Sequence, residues 1–256
     1  MAMTVRATAD GPCYILDEMT WTEFQKARAT VDLALIPVGS TEQHGPHGTF
    51  GVDAGRAYGF AVRLGRELHP RAVVAPVMPY GVSPHHMRFP GTITLEPELF
   101  VAVLFQIVQS LHAHGLRKFF FLNGHGGNRP ALSLLMQKLM VEFPDSQCGW
   151  TSFTGLARNA NKEHIRSEIS GHACEGEMSQ SLVLAPWTFH KESAVPGGPF
   201  KISPAEHHLA GIDISRRFDE ITENGALGDA RSASVEAGEA IVAEAMERAI
   251  EFLRTF

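Results

Sequence analysis

Histidine and carboxylate side chains gather in a few glycine-containing segments of this sequence. The 256 residues include 13 His but only 3 Cys. Imidazole nitrogens bind metals and exchange protons near neutral pH. The histidine excess therefore indicates metal or proton-transfer chemistry. The richest segments cover residues 39–47, 79–86, 123–128 and 171–179.

The candidate functional groups combine imidazoles with carboxylates. This mixture is typical of Zn, Mn and Fe(II) sites rather than of Ca or Mg sites. Two imidazoles and three carboxylates suffice for a two-metal site in which one carboxylate bridges. Taken singly, each residue has a structural alternative, and Asp53 for example stands where a helix N-cap is expected. The candidates are Glu42, His44, His47, Asp53, His125, His172, Glu175 and Glu177.

Strands and helices are predicted to alternate along most of the chain. Short apolar runs predict buried strands, and apolar repeats of helical period predict helices. The predicted strands cover residues 32–38, 72–78, 118–122 and 148–153. The predicted helices cover residues 21–28, 53–68, 97–114, 129–143, 175–184 and 234–253. The alternation predicts an α/β fold with a parallel sheet covered on both faces.

Residues 1–256 are expected to form a single domain. Within it, residues 187–229 are less periodic and are predicted to be an irregular excursion.

Three of the His-containing segments directly follow predicted strands. In open parallel sheets, ligands bind outside the carboxyl ends of the strands. Residues 39–47, 79–86 and 123–128 should therefore meet at one edge of the sheet. A shared site explains this placement better than coincidence does.

The composition excludes several other classes of protein. A formal net charge of -6 argues against a nucleic-acid partner. No apolar run reaches the length of a membrane helix, and no secretory signal is recognised at the N-terminus. Three unpaired cysteines favour a reducing compartment, so a cytoplasmic location is expected.

Several of these segments, in order, resemble the motifs of the creatininase (creatinine amidohydrolase) family. The similar elements are residues 39–47 with Asp53, 89–92, 123–128, 172–179 and 228–234. The resemblance implies a three-layer α/β/α fold with a mainly parallel central sheet. It also implies a dinuclear metal centre of Zn, Mn or Fe, with Zn favoured, and hydrolysis of C–N bonds in cyclic or linear amides. A homo-oligomer, in the form of a hexamer, is a further implication.

The resemblance also assigns ligands. It implies that Glu42 and His125 bind one metal, that His44 binds the other and that Asp53 bridges them. Creatininase itself has a ligating Glu where this chain has Gly127, so we expect Glu177 to complete the set.

Departures from creatininase argue against creatinine as the substrate. Creatininase has Trp-Asp where this chain has Glu168 and Ile169. Members that share the His-Gly-Gly-Asn motif include a formamide hydrolase of flavin and deazaflavin biosynthesis and a peptidase that matures a ribosomally made redox cofactor. The expected substrate is therefore an amide, lactam or formamide in a small molecule or short peptide.

The predicted mechanism uses hydroxide generated by two divalent metals. His172 matches a family histidine at the substrate and is predicted to protonate the leaving nitrogen; its alternative is to orient the catalytic Glu177. His86 and Tyr80 are predicted substrate contacts. His47 either supports a ligand or donates to a loop carbonyl.

Two other functions remain open at the level of sequence. The same site would suit a metal-dependent isomerase or lyase acting on a small sugar-like substrate, or a non-catalytic metal-binding module. Retention of all five expected ligands argues against the last. His207 and His208 are assigned no role, but they lie in the irregular region, from which they could reach the site of a neighbouring subunit.

Overall fold

A five-stranded parallel sheet forms the centre of the computed structural model, which describes residues 7–8, 11–199, 201 and 215–256. The strands are β1 (Ala7–Thr8), β2 (Gly11–Pro12), β3 (Tyr14–Ile15), β4 (Leu33–Val38), β5 (Ala72–Val74), β6 (Lys118–Asn123), β7 (Gln147–Ser152), β8 (Ser170–His172) and β9 (Leu227–Gly228). The helices are α1 (Trp21–Ala27), α2 (Val52–Glu67), α3 (Pro97–Ala113), α4 (Arg129–Glu142), α5 (Arg158–His164), α6 (Glu175–Leu184) and α7 (Val235–Thr255).

The central sheet has the order β3-β5-β4-β6-β7. The chain steps from β4 outward to β5 and then crosses over to β6 on the other side of β4. This reversal creates a switch point between the carboxyl ends of β4 and β6, where ligands bind in such sheets. The last pairing between these strands joins Val38 to Asn123, so both following loops start at the same level.

Two hydrophobic layers cover the sheet. Because side chains alternate along a strand, Leu35 and Ile36 of β4 point to opposite faces. Leu35 belongs to a buried cluster with Phe60 of α2 and Ile241 of α7. Ile36 belongs to a second cluster, with Leu104 of α3. The predicted three-layer α/β/α fold is therefore confirmed.

Most predicted elements agree with the structure to within two residues. The second predicted strand is shorter, because regular pairing ends at Val74 and Pro76 has no N–H to donate to a ladder. Short elements without a clear apolar period, including β3, β8, β9 and α5, were not predicted.

The stretch 187–229 is not simply an excursion from the fold. Its C-terminal part contains β9, which pairs antiparallel with β8 next to His172. Residues 200 and 202–214 lie outside the described residues, and with them the prediction for His207 and His208. Among the described helices, none combines the length and apolarity needed to cross a membrane.

Candidate metal centre

The loops after β4 and β6 meet over the first turn of α2. A Cβ atom on Gly39 would lie 2.4 Å from the backbone nitrogen of Ala54, and one on Gly124 would lie 2.4 Å from the carbonyl oxygen of Asp53. Glycine at both strand ends therefore lets the helix approach closely enough to place Asp53 between the loops. At Gly124, the need for glycine comes from helix packing rather than from close approach of a ligand.

Asp53 lies between two imidazoles and directs one oxygen toward each. Its Oδ1 is 3.3 Å from His44 Nε2, and its Oδ2 is 3.2 Å from His125 Nδ1. The carboxylate is 1% exposed. This is the placement expected of a carboxylate that bridges two metal ions.

A further carboxylate stands beside each imidazole. Glu42 Oε1 is 3.2 Å from His125 Nδ1, and Glu177 Oε2 is 3.9 Å from His44 Nε2. The five predicted ligands thus form two groups that share Asp53.

In both His44 and His125, the ring nitrogen that points away from Asp53 is hydrogen-bonded to a backbone carbonyl. The other ring nitrogen, which faces Asp53, is left available to a metal. His44 Nδ1 lies 3.1 Å from the carbonyl oxygen of Glu42, so Nδ1 carries the proton and Nε2 faces inward. His125 Nε2 lies 3.1 Å from the carbonyl oxygen of Val82, which leaves Nδ1 facing inward. Contacts of this kind fix the tautomer of metal-binding histidines.

The donor atoms fit divalent metal ions. His44 Nε2 and Asp53 Oδ2 are buried and have no hydrogen-bond partner among the described residues. Buried polar atoms are normally paired, so both atoms require a further partner. Glu42, His44 and Asp53 each offer a ligand atom within 4.8 Å of the others, as do His44, His172 and Glu177.

Without a metal, protons on the imidazoles balance the carboxylates. Burial opposes the charge on His44, but Asp53 outweighs it and raises the His44 pKa to about 9. Burial likewise opposes the charge on His125, yet Glu42 and Asp53 raise its pKa well above the usual value. Burial would raise the pKa values of Glu42 and Asp53, but the facing imidazoles lower both. The site is therefore built to hold positive charge.

Arg56 was not predicted, yet it supports two of the five ligands. Its guanidinium is buried, donates to Asp53 Oδ1 at 3.0 Å and also donates to Glu177 Oε1. It also donates to the carbonyl oxygen of Gly124 at 3.1 Å. The sequence signal was a basic residue three positions after Asp53, on the same side of a predicted helix.

Ser83 was also missed, although it contacts two ligands of the same group. Its Oγ donates to Glu42 Oε2 and lies 3.1 Å from His125 Nε2. Nothing in the sequence singles out this serine from others in a polar loop.

Gly127 has no room for a side chain. A Cβ atom there would lie 2.3 Å from the carbonyl oxygen of Val82 and 2.4 Å from His125 Nε2. Glu177, on the first turn of α6, instead contributes a carboxylate to the centre, 3.9 Å from His44 Nε2.

Ala173 connects His47 to Glu177 through its backbone. Its φ of 52° lies in the left-handed region, which is strained for a residue with a Cβ. Its N–H donates to Glu177 Oε2 at 2.6 Å, and its carbonyl accepts from His47 Nε2 at 2.9 Å. His47 thus donates to a loop carbonyl, and that loop residue in turn holds Glu177.

The predicted proton-transfer residue lies beside the centre and lines the same cavity as the predicted ligands. His172 Nδ1 is 3.7 Å from Glu42 Oε1. Burial lowers the His172 pKa to about 4, and the nearby charge on His44 acts in the same direction. Before substrate binds, His172 is therefore neutral at pH 7 and suited to accept a proton before it donates one.

A cavity of about 210 Å³ opens beside these groups and is lined by His86 but not by Tyr80. His86 Nε2 lies 3.5 Å from Glu42 Oε1, and burial lowers the His86 pKa to about 2. Tyr80 is 43% exposed. Phe218, which was not predicted, packs its ring 4.3 Å from that of His86 and 4.9 Å from that of His172.

Glu175 lies near the predicted ligands in sequence but has a structural role. It accepts from the backbone N–H groups of Arg166 and Ser167 at 3.0 and 2.8 Å. Glu168 and Ile169 line a different cavity, with Pro196 and Asp229.

Comparison with known proteins adds independent findings. Residues 17–253 match the model of a family described as creatininase, or creatinine amidohydrolase. The chain is 30% identical over 224 residues to the mycofactocin precursor peptide peptidase of Mycolicibacterium smegmatis, covering 86% of this chain and 83% of the relative. It is 30% identical over 203 residues to the 3-dehydro-scyllo-inosose hydrolase of Thermotoga maritima, covering 74% of this chain and 62% of that relative.

The fold is also similar to that of a solved mutant creatininase described as Zn–Zn type. The TM-score is 0.78 at 24% identity, and the match covers 94% of this chain and 97% of the other.

Proposed function

Because this chain belongs to the creatininase family and is a metal-dependent hydrolase, we propose that it holds two divalent metals and cleaves a C–N bond. The bond is an amide, lactam or formamide in a small molecule or short peptide. The observation that carries the proposal is the position of the buried Asp53 carboxylate. One of its oxygens faces His44 and the other faces His125.

Each metal position has its own set of ligands in this proposal. Glu42 and His125 would hold one ion, while His44 and Glu177 would hold the other. Asp53 would be shared by both positions. Zn is the favoured metal, since a structural relative is of the Zn–Zn type, and Mn and Fe accept the same ligands.

The chain's own residues orient substrate and move the proton. When bound, a pair of divalent metals lowers the pKa of water toward neutrality and polarises a carbonyl oxygen. His172, which its lowered pKa keeps neutral beforehand, accepts a proton at Nδ1 from the attacking water and then gives it to the leaving nitrogen as the C–N bond breaks. His86 contacts the substrate from the same cavity. Tyr80 remains a predicted contact, although it does not line that cavity in this structure.

The size of the cavity limits what can reach these groups. About 210 Å³ accommodates the atoms around one amide bond rather than a whole folded protein. The M. smegmatis relative is named as a peptidase, which supports a short peptide as one form of substrate. Creatinine is disfavoured, because Glu168 and Ile169 stand where creatininase has Trp-Asp.

A second candidate function is conversion of a small sugar-like substrate in the same site by an isomerase or lyase reaction. The T. maritima relative supports the sugar-like substrate, although its name describes a hydrolase. Turnover in ¹⁸O-labelled water separates the reactions, because hydrolysis places the label in the product and isomerisation does not.

The proposal is tested by screening the Zn-loaded protein with lactams, formamides and short peptides. Wild-type protein should hydrolyse at least one class, and a variant with His44 replaced by alanine should not. Equal turnover by both proteins would contradict the proposal. A homo-oligomer, expected to be a hexamer, and a cytoplasmic location remain predictions that light scattering and cell fractionation address.

A further inference from the structure

Gln43 stands between Glu42 and His44, and its buried amide is oriented by its neighbours. Gln43 Oε1 accepts from the backbone N–H of Gly45 at 2.8 Å. Gln43 Nε2 donates to the carbonyl oxygen of Gly225 at 3.0 Å. Because an N–H can only donate and a carbonyl oxygen can only accept, these two bonds determine which end of the amide is nitrogen.

The second amide hydrogen of Gln43 determines the tautomer of His86. Gln43 Nε2 lies 2.8 Å from His86 Nδ1. Since the amide nitrogen is a donor, His86 Nδ1 must be the unprotonated acceptor and Nε2 must carry the ring proton. His86 Nε2 lies 3.5 Å from Glu42 Oε1, so the His86 N–H faces the Glu42 carboxylate at the wall of the cavity that both residues line.

The main chain of Gln43 imposes the corresponding choice on His172. His172 Nε2 lies 2.7 Å from the Gln43 carbonyl oxygen and must therefore carry the ring proton. Gln43 Nε2 also lies 3.1 Å from His172 Nε2, but this contact is not a hydrogen bond, since both atoms are donors in this network. Within the part of the chain that the structure describes, no donor reaches His172 Nδ1, so this nitrogen is free to accept a proton.

We propose that Gln43 is a positioning residue that gives His86 and His172 complementary roles in the reaction. His86 presents Nε2–H as a donor to the substrate oxygen that gains negative charge. His172 presents an unprotonated Nδ1 as the proton acceptor. The inference rests on the proposed hydrolase function, but the tautomers themselves are properties of the resting protein.

The tautomers are measured by NMR on Zn-loaded protein labelled with ¹⁵N in its histidines, because ring nitrogen shifts report which atom is protonated. Signals are assigned with His86→Asn and His172→Asn variants. Wild-type His86 should carry its proton on Nε2. In Gln43→Glu an acceptor replaces the donor, and the His86 proton should move to Nδ1. The inference is overturned if wild-type His86 is protonated on Nδ1, or if Gln43→Glu leaves its tautomer unchanged.

A kinetic experiment separates positioning from support of the fold. Gln43→Met should lower kcat by roughly 10- to 100-fold, as loss of a supporting contact does at metal sites, while metal content stays unchanged. The melting temperature should fall, because Gly45 and Gly225 lose a buried partner, but the protein should stay folded at the assay temperature. Gln25→Met, on an exposed position of α1, is the matched control and should retain full activity. Activity that falls only in proportion to lost metal would contradict the positioning role. The NMR result needs no turnover, so a failure of the hydrolase assignment is distinguishable from a failure of this inference.

Discussion

Arg56 Nη2 lies 3.0 Å from Asp53 Oδ1, one helical turn along α2, and both side chains are almost completely buried. The same guanidinium also pairs with Glu177. Burial opposes the charge on Arg56, but Glu177 and Asp53 outweigh it and raise its pKa above the usual value. A permanent cation therefore contacts both Asp53, the proposed shared ligand, and Glu177, the proposed partner of His44 in holding a metal.

Replacing Arg56 with methionine should destabilise the metal-free protein. Removing one partner of a buried ion pair costs about 3–5 kcal/mol, because the remaining carboxylates stay buried without compensation. Denaturant unfolding measures this loss, which should be smaller in the Zn-loaded protein. Arg63→Met on the same helix is the control, because Arg63 is partly exposed and pairs with Glu239 at 3.4 Å. Equal losses for the two variants would contradict the role given to Arg56.

Gly127→Ala should disturb the metal centre, whereas Gly126→Ala should not. A Cβ at position 127 would collide with the Val82 carbonyl oxygen and with His125 Nε2, but one at position 126 meets nothing within 4 Å. Overpacking of this kind costs about 1–3 kcal/mol. Melting temperature and Zn content should both fall for Gly127→Ala. Normal Zn binding by that variant would show that His125 is not held as described.

Replacing His172 with asparagine should abolish most turnover and leave the metals in place. Loss of a proton-transfer residue typically lowers kcat by about 10²- to 10⁴-fold. His114→Asn, at the exposed end of α3, is the control and should be fully active. If His172→Asn loses turnover only because it has lost Zn, His172 acts by supporting Glu177 rather than by moving a proton.

Metal uptake should release protons at pH 7. His44 has its pKa raised to about 9, so it is protonated in the metal-free protein and must lose that proton to bind a metal. Calorimetry in buffers of different ionisation enthalpy counts the released protons. Uptake without proton release would mean that His44 is not a ligand.

The metal-free protein should also lose stability as pH rises. Folding raises the pKa of His44 from 6.5 to about 9. Protonation of His44 therefore stabilises the folded state fully below pH 6.5, and this stabilisation disappears as the pH rises through about 9. The decline between these pH values should be absent when Zn holds His44 in its neutral form. Denaturant unfolding with and without Zn measures the difference.

Much of the centre was predictable because its residues occupy local positions that the fold brings together. Glu42, His44 and His125 follow the ends of strands β4 and β6, and the apolar runs of those strands are clear in the sequence. Parallel pairing in register then places the two loops side by side. Asp53 begins the next helix, so its position also follows from a local pattern.

The supporting residues were not predictable, because their roles depend on contacts between distant segments. Gln43 binds Gly225 and Ser83 binds His125, and neither partner is indicated by spacing. Phe218 lies in a segment whose apolar residues show neither a helical nor a strand repeat. Its contact with His86 therefore depends on the tertiary fold and not on a local sequence pattern. Conversely, Tyr80 follows a predicted strand as expected, but it lies exposed outside the cavity.

The metal content of Zn-loaded and dialysed protein tests the central claim most directly. If Asp53 bridges two ions, wild-type protein should retain near two equivalents of Zn. His125→Ala should retain near one, held by His44 and Glu177, and Asp53→Ala should retain almost none. A wild-type content of one equivalent or less, or a full complement in His125→Ala, would contradict the two-metal centre.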